Sequence, residues 1–258
     1  MNFIVFSAVS SVLLIVVPAI VASRFRAKWK MPKRMFVKTG IMLLIVEVFY
    51  FTVVSNLISF WPEIETIDPV SRALILGLIA GLFFELGRYV VLDKVMKQVR
   101  SWREGIYFGF CWGALETVLL GIILLISVFG MQAISVTPDI AATIPNATTA
   151  QIDQLKTLQD ETLSLMKQSP FLAFSPVLER ASLMVIDIAL SLLMILGFYR
   201  GTTKFAWGAV FLRTLFMAST IYVGSINVVA GEAVFAVYAV IFFLFIKQIR
   251  KFFPEQTS

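Results

Sequence analysis

Eight ionisable residues lie well inside stretches that are otherwise too apolar to carry charge: Glu47, Glu85, Arg88, Glu116, Glu179, Arg180, Asp187 and Arg213. Glu85 and Arg88 are the sharpest case. They sit in the run Phe84-Glu-Leu-Gly-Arg-Tyr89, within an apolar segment from Ala73 to Leu92. Three residues apart, they share one face of a helix. Facing lipid, each would cost roughly 2.5–3.5 kcal/mol even on the mildest insertion scale, so both are expected to face protein or water. Trp112 and Glu116 share a face four residues apart, and Arg180 and Asp187 lie two turns apart with Glu179 beside them. Carboxylates gathered at one depth require a shared proton, a cation or several arginines. Glu85, Glu116 and Glu179 therefore read as a functional set. Glu47 and Arg213, taken singly, read first as charges that fix helix register.

The elements that must position these groups follow from composition. The 258-residue chain is 59% hydrophobic and 15% charged, with mean hydropathy +0.89. Soluble domains carry roughly 45–50% apolar residues, so this is an all-helical, polytopic membrane protein of the cell membrane, in contact with the lipid bilayer. The net charge of +6 does not indicate nucleic-acid binding, because the basic residues cluster between the apolar spans. One cysteine, Cys111, excludes an intrachain disulfide and a cysteine metal cage; beside glycine it reads as a packing residue. The absence of histidine removes the commonest metal ligand and general base. No glycine-rich phosphate loop or Ser/His arrangement occurs.

Seven spans are expected, near 2–23, 39–60, 70–92, 105–129, 171–198, 205–223 and 228–246. No basic residue precedes the first, which is expected to stay as a helix rather than act as a cleaved signal. Arg24 to Lys38 holds seven basic residues and no acid. Further basic groups follow spans three, five and seven, whereas the loop Trp61–Pro69 is acidic. The positive-inside rule then puts the N-terminus outside and the C-terminus in the cytoplasm. Residues 1–258 are expected to form a single membrane domain, with an external segment at 130–170 and an extramembrane helix near 150–167. Asn146-Ala-Thr is a glycosylation acceptor only in a host with that pathway. Gly109, Gly113 and Gly121 allow close helix approach. No inverted repeat of the transporter kind is evident.

Glu-x-Gly-Arg at Glu85–Arg88, Gly-x-x-x-Gly-x-x-Glu at Gly109–Glu116 and Glu179-Arg180 on a later span together resemble the YhfC-type intramembrane metalloprotease family. That family is distantly related to the CAAX- and bacteriocin-processing enzymes. The resemblance covers most of the chain in order and spacing. It implies a membrane metallopeptidase in which a glutamate activates metal-bound water, a role that falls here to Glu85 or Glu116. It also implies histidines where this sequence has Trp112, Asp187 and Arg213. With these replaced, zinc is not expected in its usual geometry: a carboxylate-only set suits harder cations, and Arg213 is expected to pair with Glu116, Glu179 or Asp187.

Three readings remain open. The first is a degenerate family member that keeps a buried Glu/Arg cavity, including Arg88 and Arg180, and binds a membrane peptide or protein without ordinary zinc hydrolysis. The second is an active metallopeptidase with Glu85 and Glu116 as acid and base and Asp187 as ligand. The third is a proton-coupled transporter using the acids as a relay.

Overall fold

The computed structural model describes residues 2–137 and 148–253; Asn146 lies outside them. The described residues form eight α-helices: α1 (Asn2–Trp29), α2 (Lys33–Phe60), α3 (Pro69–Val90), α4 (Trp102–Val136), α5 (Thr149–Met166), α6 (Pro170–Tyr199), α7 (Lys204–Ile226) and α8 (Val228–Ile249). Seven of them, all but α5, are long and apolar enough to cross a membrane. Helices are the required solution there, because each backbone N–H and C=O is satisfied within its own segment. Most helices run past the apolar stretch that marks them in the sequence. α2 already begins at Lys33 and α4 continues to Val136.

Local chemistry sets the ends. Asp68 caps α3, its carboxylate accepting from the backbone N–H groups of Val70 (3.1 Å) and Ser71 (3.0 Å), with Pro69 at the first helical position. Hydrogen bonds from Ser71 hold the Asp68 carboxyl below its ordinary range. α3 ends in a wider π-helical turn, Val91–Val95. Thr148 and Gln151 close a reciprocal capping box on α5. Gly201, at φ +63°, turns the chain between α6 and α7.

The chain divides into two compact units. The smaller comprises residues 1–18 and 117–178. In it the Ser10 hydroxyl donates to the Ala173 carbonyl at 2.7 Å, and Leu14 and Ile15 pack on Gly121. On α5, Gln159 donates to the Thr137 carbonyl at 2.8 Å. The larger unit, residues 19–116 and 179–258, holds the main core, with Leu92, Phe108, Trp112, Ile186, Leu190 and Phe216 all fully buried.

Within the larger unit α3 packs along α7 through small residues. Gly77, Gly81, Glu85 and Arg88 occupy one buried face of α3. A Cβ at Gly77 would sit 2.8 Å from the Ala218 amide nitrogen, and one at Gly81 would sit 2.9 Å from the Val210 carbonyl oxygen. Both obstacles are backbone, so no rotamer change relieves them. Small residues at such spacing let two helices approach in an environment where the hydrophobic effect does not drive association. Gly81→Ala is therefore expected to destabilise the protein by roughly 1–3 kcal/mol, as overpacking does. Gly130→Ala, where a Cβ meets nothing within 4 Å, is expected to be neutral or slightly stabilising. Thermal unfolding in detergent of the two variants checks the contrast.

Candidate functional site

Asp187 on α6 is the junction of an entirely buried ion-pair group. Its Oδ1 accepts from Arg88 Nη2 on α3 and, at 3.1 Å, from Arg213 Nη1 on α7. Arg88 Nη1 also donates to Glu85 Oε2 at 3.1 Å and to the Asp187 backbone carbonyl at 3.4 Å. Side-chain exposure in these pairs is 0–2%, so no bulk water screens them. Two carboxylates meet two guanidiniums, and the group is charge-balanced.

The same arginines are walled by aromatic rings. The Arg88 guanidinium lies over the Trp112 ring at 5.2 Å, and that of Arg213 over Phe84, also at 5.2 Å. Ring faces carry negative quadrupole density, and such contacts gain strength when desolvated. α4 comes close enough for this because of two glycines. A Cβ at Gly109 would lie 2.6 Å from Ile188 Cα, and one at Gly113 would lie 2.7 Å from Asp187 Oδ2.

A second group lies two turns away along α6, about 10 Å at 1.5 Å per residue. Arg180 Nη1 donates to Glu116 Oε1 on α4, and Arg180 Nη2 to the neighbouring Glu179 at 3.4 Å. These side chains are 16–27% exposed. Two carboxyl groups share one guanidinium here. Glu47 on α2 lies within electrostatic range of Glu116 and Arg180. Arg213 is within electrostatic reach of Glu116, which links the two groups.

The eight charges singled out from the sequence thus fall into two sets. Glu85, Arg88, Asp187 and Arg213 are gathered with Trp112; Glu116, Glu179, Arg180 and Glu47 stand apart from them. Of the three carboxylates open to Arg213, it pairs with Asp187. Glu85 and Glu116, the two acids that the family resemblance marks for catalysis, belong to different sets. Several buried polar atoms of the inner set lack a hydrogen-bond partner, among them Glu85 Oε1, Asp187 Oδ2 and the Trp112 indole nitrogen. Among the described residues no group of three or more His, Cys, Asp or Glu side chains is placed to hold a metal ion.

Sequence reasoning missed three contributors: Phe84 as the wall beside Arg213, and Gly77 with Gly81 as the approach to α7. A signal existed for the glycines. Their spacing of four continues the Glu85–Arg88 face one and two turns upstream. Nothing in the sequence singled out Phe84 among 24 phenylalanines.

Seven apolar helices and this intramembrane ion-pair network define a multi-pass membrane protein with a charged interior. Residues 13–246 match the model of the YhfC intramembrane metalloprotease family, and the chain belongs to that family. It is similar to a Bacillus subtilis (strain 168) protein named "Uncharacterized membrane protein YhfC", with 29% identity over 146 residues. That match covers 54% of this chain and 52% of the relative, so it spans about half of each. No solved structure matches.

Breaking a buried pair from one side leaves an uncompensated charge, at a cost of roughly 3–5 kcal/mol. Asp187→Ala is therefore expected to be severely destabilising. Removing Arg213 as well restores the balance around Glu85 and Arg88. Asp187→Ala/Arg213→Met is expected to recover at least about 1 kcal/mol relative to additivity. A double-mutant cycle on unfolding midpoints measures this; additive losses would mean that the two residues are not energetically paired.

Proposed function

We propose that this protein is a YhfC-family member whose zinc site has been lost, while a buried Glu/Arg centre persists that engages a membrane peptide or protein without zinc hydrolysis. The observation that carries this reading is the Arg213–Asp187–Arg88 pairing. Asp187 and Arg213 are residues that stand where the family resemblance implies histidine, and they neutralise each other. A zinc centre of the hydrolytic kind takes three protein ligands and keeps an open position for water. The residues present do not fit one. The chain has no histidine, Trp112 is a donor only, and Asp187 already accepts from two guanidiniums through Oδ1. A third positive charge beside two guanidiniums would meet repulsion rather than a pocket.

The outer set supports the binding part of the reading. Glu116, Glu179 and Arg180 are partly exposed, with two carboxyl groups to one guanidinium, so a polar or cationic group of a membrane substrate finds acceptor oxygens there. Intramembrane ionisable residues that are not fully paired among themselves are where ligand chemistry is expected.

Metal analysis of the purified protein, wild type beside Glu116→Gln, tests the reading. Zinc well below one per chain, unchanged in the variant, is the expected result. About one tightly held zinc per chain, with cleavage of a membrane peptide lost in Glu85→Gln, would overturn it in favour of an active metallopeptidase.

The orientation belongs to the same proposal. Basic segments at Arg24–Lys38, Lys94–Arg103, Arg200–Lys204 and Lys247–Lys251 face the cytoplasm, with the N-terminus outside. The native Cys111 is fully buried, which gives a low background for labelling. Lys33→Cys is expected to react with a membrane-impermeant maleimide only in inverted vesicles, and Glu63→Cys only in intact cells. The opposite pattern rejects the orientation.

A further inference from the structure

A groove of about 390 Å³ runs between α2 and α3, lined by Met42, Ile45 and Phe49 on one side and Leu86, Gly87 and Val90 on the other. Ile45, Phe49, Leu86 and Val90 are all exposed, at 37–62%. It lies on the opposite face of α3 from the buried Glu85 and Arg88. Its floor is closed where Val46 packs on Gly87; a Cβ there would sit 2.6 Å from the valine. Within the membrane-spanning stretch such a surface meets either an acyl chain or another helix.

Leu82 to Val91 gives the groove a length of about 13 Å along α3, and every lining residue is apolar or glycine, so a flexible hydrocarbon chain can lie along it.

Charge separates one lipid from another. The α2 stripe that lines the groove continues toward the basic end as Phe49, Ile45, Met42, Lys38 and Arg34, steps of three or four residues that keep one helical face. Lys38 and Arg34 are both exposed, and no acidic residue stands between Arg24 and Lys38 in the chain. The first acid on α2, Glu47, falls by helical spacing on the opposite side of the helix from this stripe. On the α3 side Lys94 follows Val90 by one turn; it is paired with Asp93 at 2.7 Å but 70% exposed. An apolar channel that opens onto a basic ledge matches an acyl chain joined to an anionic headgroup. We propose that the α2–α3 groove binds one anionic phospholipid, with an acyl chain along Met42–Phe49 and its phosphate at Arg34 and Lys38.

The ledge supplies the preference and the groove supplies the hold, so the two are separable by mutation. The protein is reconstituted in vesicles of equal phosphatidylglycerol and phosphatidylcholine, extracted gently, and examined by native mass spectrometry. One phosphatidylglycerol per chain is expected, retained over phosphatidylcholine by at least about fivefold, the factor that roughly 1 kcal/mol from one of the two basic residues alone gives. Arg34→Gln/Lys38→Gln is expected to erase the preference while a lipid of either kind still binds. Ile45→Trp, which fills the groove, is expected to lower retention of both lipids, whereas Leu74→Trp, on an exposed part of α3 away from the groove, leaves retention unchanged. Equal retention of the two lipids by the wild type overturns the proposal. So does a preference that survives in the double variant, or a second protein chain in place of lipid. If Ile45→Trp fails to fold, the charge variant alone decides.

Discussion

A single carboxylate oxygen shared by two guanidiniums, in an interior closed to bulk solvent, constrains everything around it. Asp187 Oδ1 receives Arg88 from α3 and Arg213 from α7. Three helices thereby meet at one depth. Sliding α3 by one turn would carry Arg88 about 5 Å along the helix axis and break its bond to Asp187, although Glu85 would move with Arg88 and Arg213 would stay with Asp187. In water an exposed pair of this kind contributes little. Here the alternative to pairing is an uncompensated buried charge, and that asymmetry makes the group an architectural clamp whatever else it does.

The clamp explains the distribution of small residues. Aspartate is short, so its carboxylate reaches two arginines only if the backbones of α3, α4, α6 and α7 come near one another. Gly113 lies against Asp187 Oδ2, Gly109 against the α6 backbone, and Gly77 and Gly81 against α7. The arginines are long, and their stems and flat heads are packed rather than free, with Trp112 and Phe84 covering one face of each. Polar pairing and close packing thus support the same arrangement, as consistency across levels requires of a stable fold.

Much of this was legible in the sequence and some of it was not, for reasons that differ residue by residue. The seven spanning helices were readable because bilayer thickness imposes a length that few other constraints imitate. The list of buried charges was readable for the same reason: Glu85 or Arg213 in an apolar run has few tolerable surroundings. The partner of Arg213 was not. Glu116, Glu179 and Asp187 lie on neighbouring helices, and choosing among them needs the rotation of α7 about its axis. That rotation is set by Gly77 and Gly81 on a different helix, a long-range packing effect with no local signature. The separation of Glu85 from Glu116 was hidden likewise, since motif order along the chain carries no depth.

The two charge sets differ in a way that bears on chemistry. The inner one balances two acids against two bases and is sealed. The outer one has Glu116 and Glu179 for Arg180, with Glu47 nearby, and is partly open. A metal-dependent hydrolase needs the opposite of the inner arrangement: a focused negative potential with neutral or anionic ligands and an open coordination position. Guanidinium and divalent cation compete for the same carboxylate oxygens, and a site built around one is poor for the other. In our reading, replacing neutral imidazole by an Asp–Arg pair moved this centre from one solution to the other. On that proposal the positive charge beside Asp187 belongs to the polypeptide itself, supplied by Arg88 and Arg213.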